Sequence, residues 1–299
     1  MSDAFKITGS TVSLGSTLAL NYYVSVSDER ILDTHSLEMR FTFHGEKTAV
    51  TEYTTVNGEY VFSFCGVAPQ QLADLIDASL YLDGTEILTH NGYSIKQNLQ
   101  NLLAMSATEL GISAQKRDAM VTLISDLLVY GEAAQNYKDY ATDTPVTEGI
   151  DGMLPSTITP TEADRMTLTG NTDPALHFNS ATVHFNNANQ IRIEILASVA
   201  EKNLVAIKIN GKQHTLDALA SLGNGVYRIA TAKLYATQFA DVLSIELSYD
   251  GTVCATIAYS VNAYAYAMTS GETESTEMQA LALALYRYGQ SAIAYNSVE

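Results

Sequence analysis

The chain has no tryptophan, only two cysteines and five prolines in 299 residues, and sixteen basic side chains against thirty-three acidic ones. Each shortage excludes something. A formal charge of −17 repels phosphate backbones and anionic headgroups, so nucleic acid is not an expected partner. The acid is spread through both halves, a diffuse bias and not a tail. No apolar run approaches the roughly 20 residues of a bilayer-spanning helix, so membrane insertion is not expected. The N-terminus MSDAFKITGS lacks the charged, apolar and small-residue regions of a signal peptide. Its methionine is equally that of a piece of a longer chain, so the compartment stays open. Cys65 and Cys254 occupy non-equivalent places in the two halves and read as buried core thiols rather than a disulfide. Without tryptophan, an aromatic platform for sugars has to come from the 18 tyrosines.

What is present is a duplication. The length suggests two domains of roughly 150 residues, and four of the five prolines fall in a Thr-rich stretch, 145–174, read as a linker between a first copy (1–144) and a second, divergent one (175–299). NGEYVFSFCGVAPQQLADLIDASLYLDGT from Asn57 is answered by NGVYRIATAKLYATQFADVLSIELSYDGT from Asn224. Asn57, Gly58, Tyr60, Ala73, Asp74, Asp83 and Gly84 recur at a constant offset of 167. MVTLISDLLVYGEAAQNY from Met120 returns as MQALALALYRYGQSAIAY from Met278.

Each copy opens with strands. LALNYYVSV, SLEMRFTF and YVFSFCGV in the first, and QIRIEILASV, LVAIKI and VLSIELSY in the second, are rich in β-branched and aromatic residues. Asn-Gly and Asp-Gly pairs between them supply the positive φ of tight hairpins, so the sheets are expected to be antiparallel. The period then becomes helical. Ser94 with Gln97 forms a capping box, and Ser260 is an N-cap whose box partner is replaced by Ala263. Met120, Leu123, Leu127, Tyr130, Ala134 and Tyr137, like Met278 to Tyr295, make one buried stripe on a long helix. Gly131 and Gly289 interrupt these helices at a cost of about 1 kcal/mol each, which a close backbone approach explains. The expected fold class is therefore α+β: two tandem domains, each an antiparallel β-sheet or sandwich followed by two C-terminal helices.

Chemistry is harder to find. Six histidines show no HxxxH, HExxH or His/Cys metal spacing, and there is no nucleophile elbow, phosphate loop or GxGxxG. TGSTVSLGST from Thr8 reads as a turn. His177 and His184 read as polar-face strand residues. Asp28, Glu29 and Asp33 are the densest acids and a weak candidate for Ca²⁺, but EF-hand spacing is absent and a solvated loop fits better, so no cofactor is expected. Tyr22, Tyr23, Tyr53 and Tyr60 are the candidate ligand contacts, because neighbouring strand residues face opposite ways and one of Tyr22 and Tyr23 should be exposed.

NYYVSV, LEMRFTF, GEYVFSF, the Ala-Asp step before LYLDGT, YSI and the closing LLVYGEAAQNYKDY together resemble the repeated β-rich segment of large secreted proteins of anaerobic gut and rumen Firmicutes, often attached to dockerin or anchoring domains. The pattern covers residues 5–140, and 175–296 more weakly, departing in the first strands. Its most distinctive step is Tyr130, Gly131, Ala134 and Tyr137. The resemblance implies a secreted or cell-surface, modular and non-catalytic role, and it transfers no functional residues. The expected function is thus a binding or scaffolding module that recognises a protein partner at the bacterial surface or a host protein. Polysaccharide binding through exposed tyrosines, and an enzyme with a dispersed site, are the alternatives.

Overall fold

The structure is a computed structural model that describes residues 2–15, 17–185, 189–271 and 275–299. The chain divides into two units, Met1–Leu154 and Pro155–Glu299. In the first, β1 (Phe5–Leu14), β2 (Leu18–Val26), β3 (Leu37–Phe43), β4 (Glu46–Val50), β5 (Thr54–Val56), β6 (Glu59–Val67), β7 (Ile76–Leu82) and β8 (Thr85–Tyr93) precede α1 (Ile95–Ala104), the one-turn α2 (Ala107–Leu110) and α3 (Ala114–Lys138). Two antiparallel sheets, ordered β1-β2-β6-β5 and β4-β3-β7-β8, form a sandwich. Leu20, Tyr22, Val24, Phe62 and Phe64 on one inner face are buried with Met39, Phe41, Ile76, Ala78 and Leu80 of the other. Ring centres of 5.7 Å for Tyr22–Phe41 and 5.3 Å for Phe41–Phe64 show the two faces in contact.

The second unit has β9 (Thr167–Thr169), β10 (Leu176–His184), β11 (Gln190–Ala197), β12 (Val205–Ile209), β13 (Lys212–His214), β14 (Ala220–Gly223), β15 (Val226–Ala230), β16 (Leu243–Tyr249), β17 (Thr252–Tyr259), α4 (Val261–Ser270) and α5 (Thr276–Ser297). Its sheets run β10-β11-β15-β14 and β13-β12-β16-β17-β9, the order of the first unit plus one edge strand. The α+β reading therefore holds in both halves. The opening hairpin, where the second sequence departs most, keeps even the irregularity: β1–β2 slips between Ile7 and Gly9, and β10–β11 between Phe178 and Ser180, 171 positions on. Thus TGSTVSLGST is not a turn. It is strand through Leu14, with its glycine beside the bulge.

The long helices bury the stripe read from the sequence: Leu127 and Tyr130 in α3, and Leu285 and Tyr288 in α5, are enclosed, and the terminal Tyr137 and Tyr295 are half-buried. The glycines on them explain their own cost. A Cβ on Gly131 would lie 2.8 Å from Leu72 Cδ1 and 2.9 Å from the Pro69 carbonyl oxygen, and one on Gly289 would lie 2.7 Å from the Phe239 ring. Each glycine thus seats the helix on a single 3₁₀ turn, Pro69–Gln71 or Ala236–Gln238. Gln71 and Gln238 close those turns by accepting the N–H of Ala68 and Tyr235 at 3.1 and 3.0 Å. The carbonyls of Leu72 and Phe239 in turn accept the N–H of Lys96 and Asn262, at 2.7 and 3.1 Å, which fixes the start of the shorter helix. Ser94 and Ser260 cap it as expected.

Residues 145–174 do not hang free between the units. Val146 is fully buried and donates its N–H to Gln135 at 2.8 Å, and the Leu154 N–H reaches Ser125 Oγ at 2.9 Å, so this part covers α3. Beyond Pro155 the chain belongs to the second unit, where Arg287 bonds the Ile158 carbonyl at 2.9 Å and Thr167–Thr169 becomes β9. Proline and threonine marked a segment without its own period, which is what a strap packed on other elements looks like. The cysteines are both free, as expected, but they are not core thiols: Cys65 is exposed and Cys254 half-buried. Cys65 alternates with Phe62 and Phe64 along β6 and so faces outward. Cys254 is the extra residue where β17 slips against β16.

Gly289→Ala is expected to destabilise the protein by about 1–3 kcal/mol, although alanine gains up to about 1 kcal/mol of helix propensity, and Phe239→Leu in the same chain should return part of the loss. Urea unfolding followed by helical circular dichroism reads this directly. A Gly289→Ala chain as stable as the parent would show that the helix is not seated on its turn.

Candidate functional site

The sequence candidates scatter, and the fold sorts them. Tyr22 faces the sandwich interior with no exposed surface. Its hydroxyl has no hydrogen-bond partner among the described residues, the His90 ring lies 5.4 Å away, and burial raises its pKa further than the charges near Tyr93 and Asp77 do. It is a core residue and not a ligand contact. Tyr23 lies half-buried on the opposite face, where its hydroxyl accepts from Thr11 at 3.3 Å beside a polar row in which Asn21 bonds Ser13 and Ser63.

Tyr53 and Tyr60 are brought together. The Asn57-Gly58 turn, at φ of 51° and 82°, pairs Thr54 with Val61 and Thr55 with Tyr60. That register leaves Tyr53 against Phe62 and Tyr60, with ring centres at 5.3 and 5.0 Å and the two tyrosine planes at 83°. Phe62 is buried, Tyr60 is half-buried and Tyr53 is 41% exposed, so the three rings run from core to solvent at the sandwich rim.

The acidic candidates meet the same rim. Glu29–Asp33 is a single 3₁₀ turn, capped by Asp28, which also holds Arg30 at 2.8 Å. Asp28 is thus engaged as a cap and ion-pair partner, its carboxyl lowered by that arginine. Glu29 and Asp33 are exposed and act on Tyr60 through their charge: burial first, then Glu29, Tyr53 and Asp33, push its hydroxyl pKa up. Among the described residues no three His, Cys, Asp or Glu side chains converge as a metal ion requires.

Two polar clusters were not visible in the sequence. His44, at the β3–β4 turn, places Nε2 2.9 Å from Asp74 Oδ2, and Tyr140 donates to the same oxygen at 2.5 Å. Burial and then Asp74 push the Tyr140 hydroxyl up to about 12, so it stays protonated at neutral pH, and the cluster ties the hairpin to the chain beyond α3. At the β7–β8 turn, Asp83 takes the Ser36 N–H at 2.8 Å and its hydroxyl at 3.1 Å on one oxygen, and His35 Nδ1 at 2.5 Å on the other. Histidine and serine address the same carboxylate and not each other, so the histidine is not placed to activate the hydroxyl. The available signal was the repeated aspartate, since Asp74 and Asp83 both have counterparts 167 residues on. Their histidine partners lie tens of residues away in the chain.

Neither a protein-family model nor any curated protein sequence matches the chain.

The Asp83 carboxyl is held below its ordinary value of 3.8, by His35 first and then by the Ser36 N–H. Its contribution to stability is therefore complete above that ordinary value and is lost as pH falls through the lower folded one. Between about pH 5 and pH 2 the unfolding temperature of Asp83→Asn, a change the left-handed turn tolerates, should fall less steeply than the parent's. Equal slopes would rule out the carboxylate lock.

Proposed function

We propose that the chain is a non-catalytic, secreted or cell-surface binding and scaffolding protein that recognises a protein partner, and that the rim formed by Tyr53, Tyr60, Glu29 and Asp33 is its contact. One observation carries the reading. The features that recur in both units, the seated glycines, the glutamine-closed turns and the capped helices, are consumed by internal packing, whereas the paired rings of Tyr53 and Tyr60 have no counterpart in the second unit, where the register puts Leu219 at the place of Tyr53. An aromatic ring anchored in the core at one end and open at the other offers area at little entropic cost, which is the profile of an interface anchor. The resemblance to modules of secreted Firmicutes proteins points the same way.

Glycan binding is the second reading, favoured by the open Tyr53 ring beside two carboxylates able to accept sugar hydroxyls. The perpendicular tyrosine pair, however, presents one ring edge and one face, not the flat platform that a sugar ring stacks on.

Immobilised full-length chain, offered extracellular proteins of the host mucosa and of neighbouring surface modules, should retain one of them saturably, and the purified partner should bind in return. Retardation in a polysaccharide affinity gel with no protein retained would replace this reading with the second. Release of reducing sugar or cleaved peptide by the purified chain would end the non-catalytic one.

A further inference from the structure

The second unit contains a comparison that the first unit lacks. Tyr227 occupies on β15 the place of Tyr60 on β6: Tyr60 pairs with Val24 and Thr55, and Tyr227 with Ile195 and Ser221, the matching positions of matching strands. In both units the link between the second and third strands of the sandwich passes beside this tyrosine as a single 3₁₀ turn, Glu29–Asp33 in one and Lys202–Leu204 in the other. In the second unit that turn lays the Lys202 ammonium 5.5 Å from the Tyr227 ring centre, with Nζ donating to the hydroxyl at 3.2 Å. The chain's own cation thus caps the hydroxyl end of the ring, and the tyrosine is buried.

In the first unit the corresponding turn carries Glu29 and Asp33, and its cation, Arg30, is held by Asp28 at 2.8 Å. Glu29 and Asp33 place negative charge beside Tyr60, and a second ring, Tyr53, stands where the register puts Leu219 in the other copy. Among the described residues no lysine or arginine lies over Tyr53 or Tyr60. Two aromatic rings at right angles, one of them within the field of two exposed carboxylates, are the components of a cation site: the ring faces attract an ammonium through their quadrupole, and the acids neutralise it. A field of −17 draws basic segments towards the whole molecule.

From this we infer that the Tyr53–Tyr60 rim binds a lysine side chain from a basic, exposed segment of the partner protein, which takes in trans the place that Lys202 fills within the second unit. The inference rests on the protein-recognition reading above and names the chemistry of that partner.

The test uses the full-length chain and a fluorescein-labelled peptide of alternating lysine and glycine, with its Nε-acetyl-lysine twin, followed by fluorescence anisotropy. The lysine peptide should bind saturably, and acetylation should weaken it at least about fivefold. Tyr53→Leu, which copies the second unit, should weaken it about three- to tenfold, while Tyr53→Phe retains the ring and the affinity. Glu29→Gln with Asp33→Asn should weaken binding and flatten its salt dependence. Tyr235→Ala, which removes an exposed tyrosine of the second unit, should change nothing. Circular dichroism confirms that each variant is folded. Equal binding of the acetylated peptide, or parental affinity in Tyr53→Leu, overturns the site. So does polysaccharide retention abolished by Tyr53→Leu, which would assign the rim to glycans. A partner protein held equally by the parent and by Tyr53→Leu removes this site but leaves protein recognition standing, whereas no partner protein at all removes the reading beneath it.

Discussion

The approach of a long helix to a single 3₁₀ turn, with no Cβ between them, is the contact on which each unit depends. The turn sits where the chain leaves the first sheet for the second, so whatever presses on it also fixes the sandwich. It is held from three sides: a glutamine side chain closes its entrance, the first residues of the shorter helix bond its exit carbonyl, and Gly131 or Gly289 lets the long helix lie directly over it. A methyl group at either glycine would push the helix out against a backbone carbonyl or a buried phenyl ring, neither of which can swing aside as an exposed side chain can. The helix-propensity cost of those glycines is the smaller term, and this is why both copies keep a residue that an isolated helix would reject.

That constraint was legible in the sequence because it is periodic. The stripe of Met120 to Tyr137, the interrupting glycine and the serine caps are local patterns, and each appears where its spacing put it. The strap over α3 was not legible. Val146 contributes one burial and one backbone bond, and the exposed Leu154 one backbone bond, to a helix they do not resemble in period, so composition alone marked them as a linker. The Asp74 and Asp83 clusters were hidden for a different reason. Each joins a turn aspartate to a histidine 30 or 48 residues away, and nothing in a single sequence ties such partners together. Of the candidate site, the tyrosines and acids were readable individually, but their convergence depends on the Asn57-Gly58 register and on a 3₁₀ turn that the sequence presented as a solvated loop.

The two copies solve one further problem differently, and the difference shows how a shared frame tolerates change. The last strand of the second sheet is an edge. In the second unit β9 covers it, pairing Thr167 to Thr169 with Ala258 to Thr256, and the hydroxyls of Thr169 and Thr256 meet at 2.6 Å. In the first unit the corresponding stretch of β8 bulges at Asn91 and Gly92, where Gly92 takes φ of 62° and gives its N–H to Asp77 at 2.7 Å. One edge is paired and the other is bent away from the regular ladder, and either device removes the straight row of donors and acceptors that invites another chain. The sandwich can therefore vary at its margins without disturbing the clamp.

The same logic separates residues the fold requires from those it leaves free. Residues that must satisfy the clamp, the inner faces and the turns have no freedom left: Tyr22, Tyr130 and Tyr288 spend their rings on packing, and Asp74 and Asp83 spend their charge on loops. Positions free to differ lie at the rim, and there the copies diverge in chemistry and not merely in shape. One unit bonds the hydroxyl of its rim tyrosine with its own lysine. The other adds a second, open ring and sets the charges of Glu29 and Asp33 near the first. At that rim the charge of Glu29 and Asp33 and the open ring of Tyr53 are residues that the packing of the sandwich does not require.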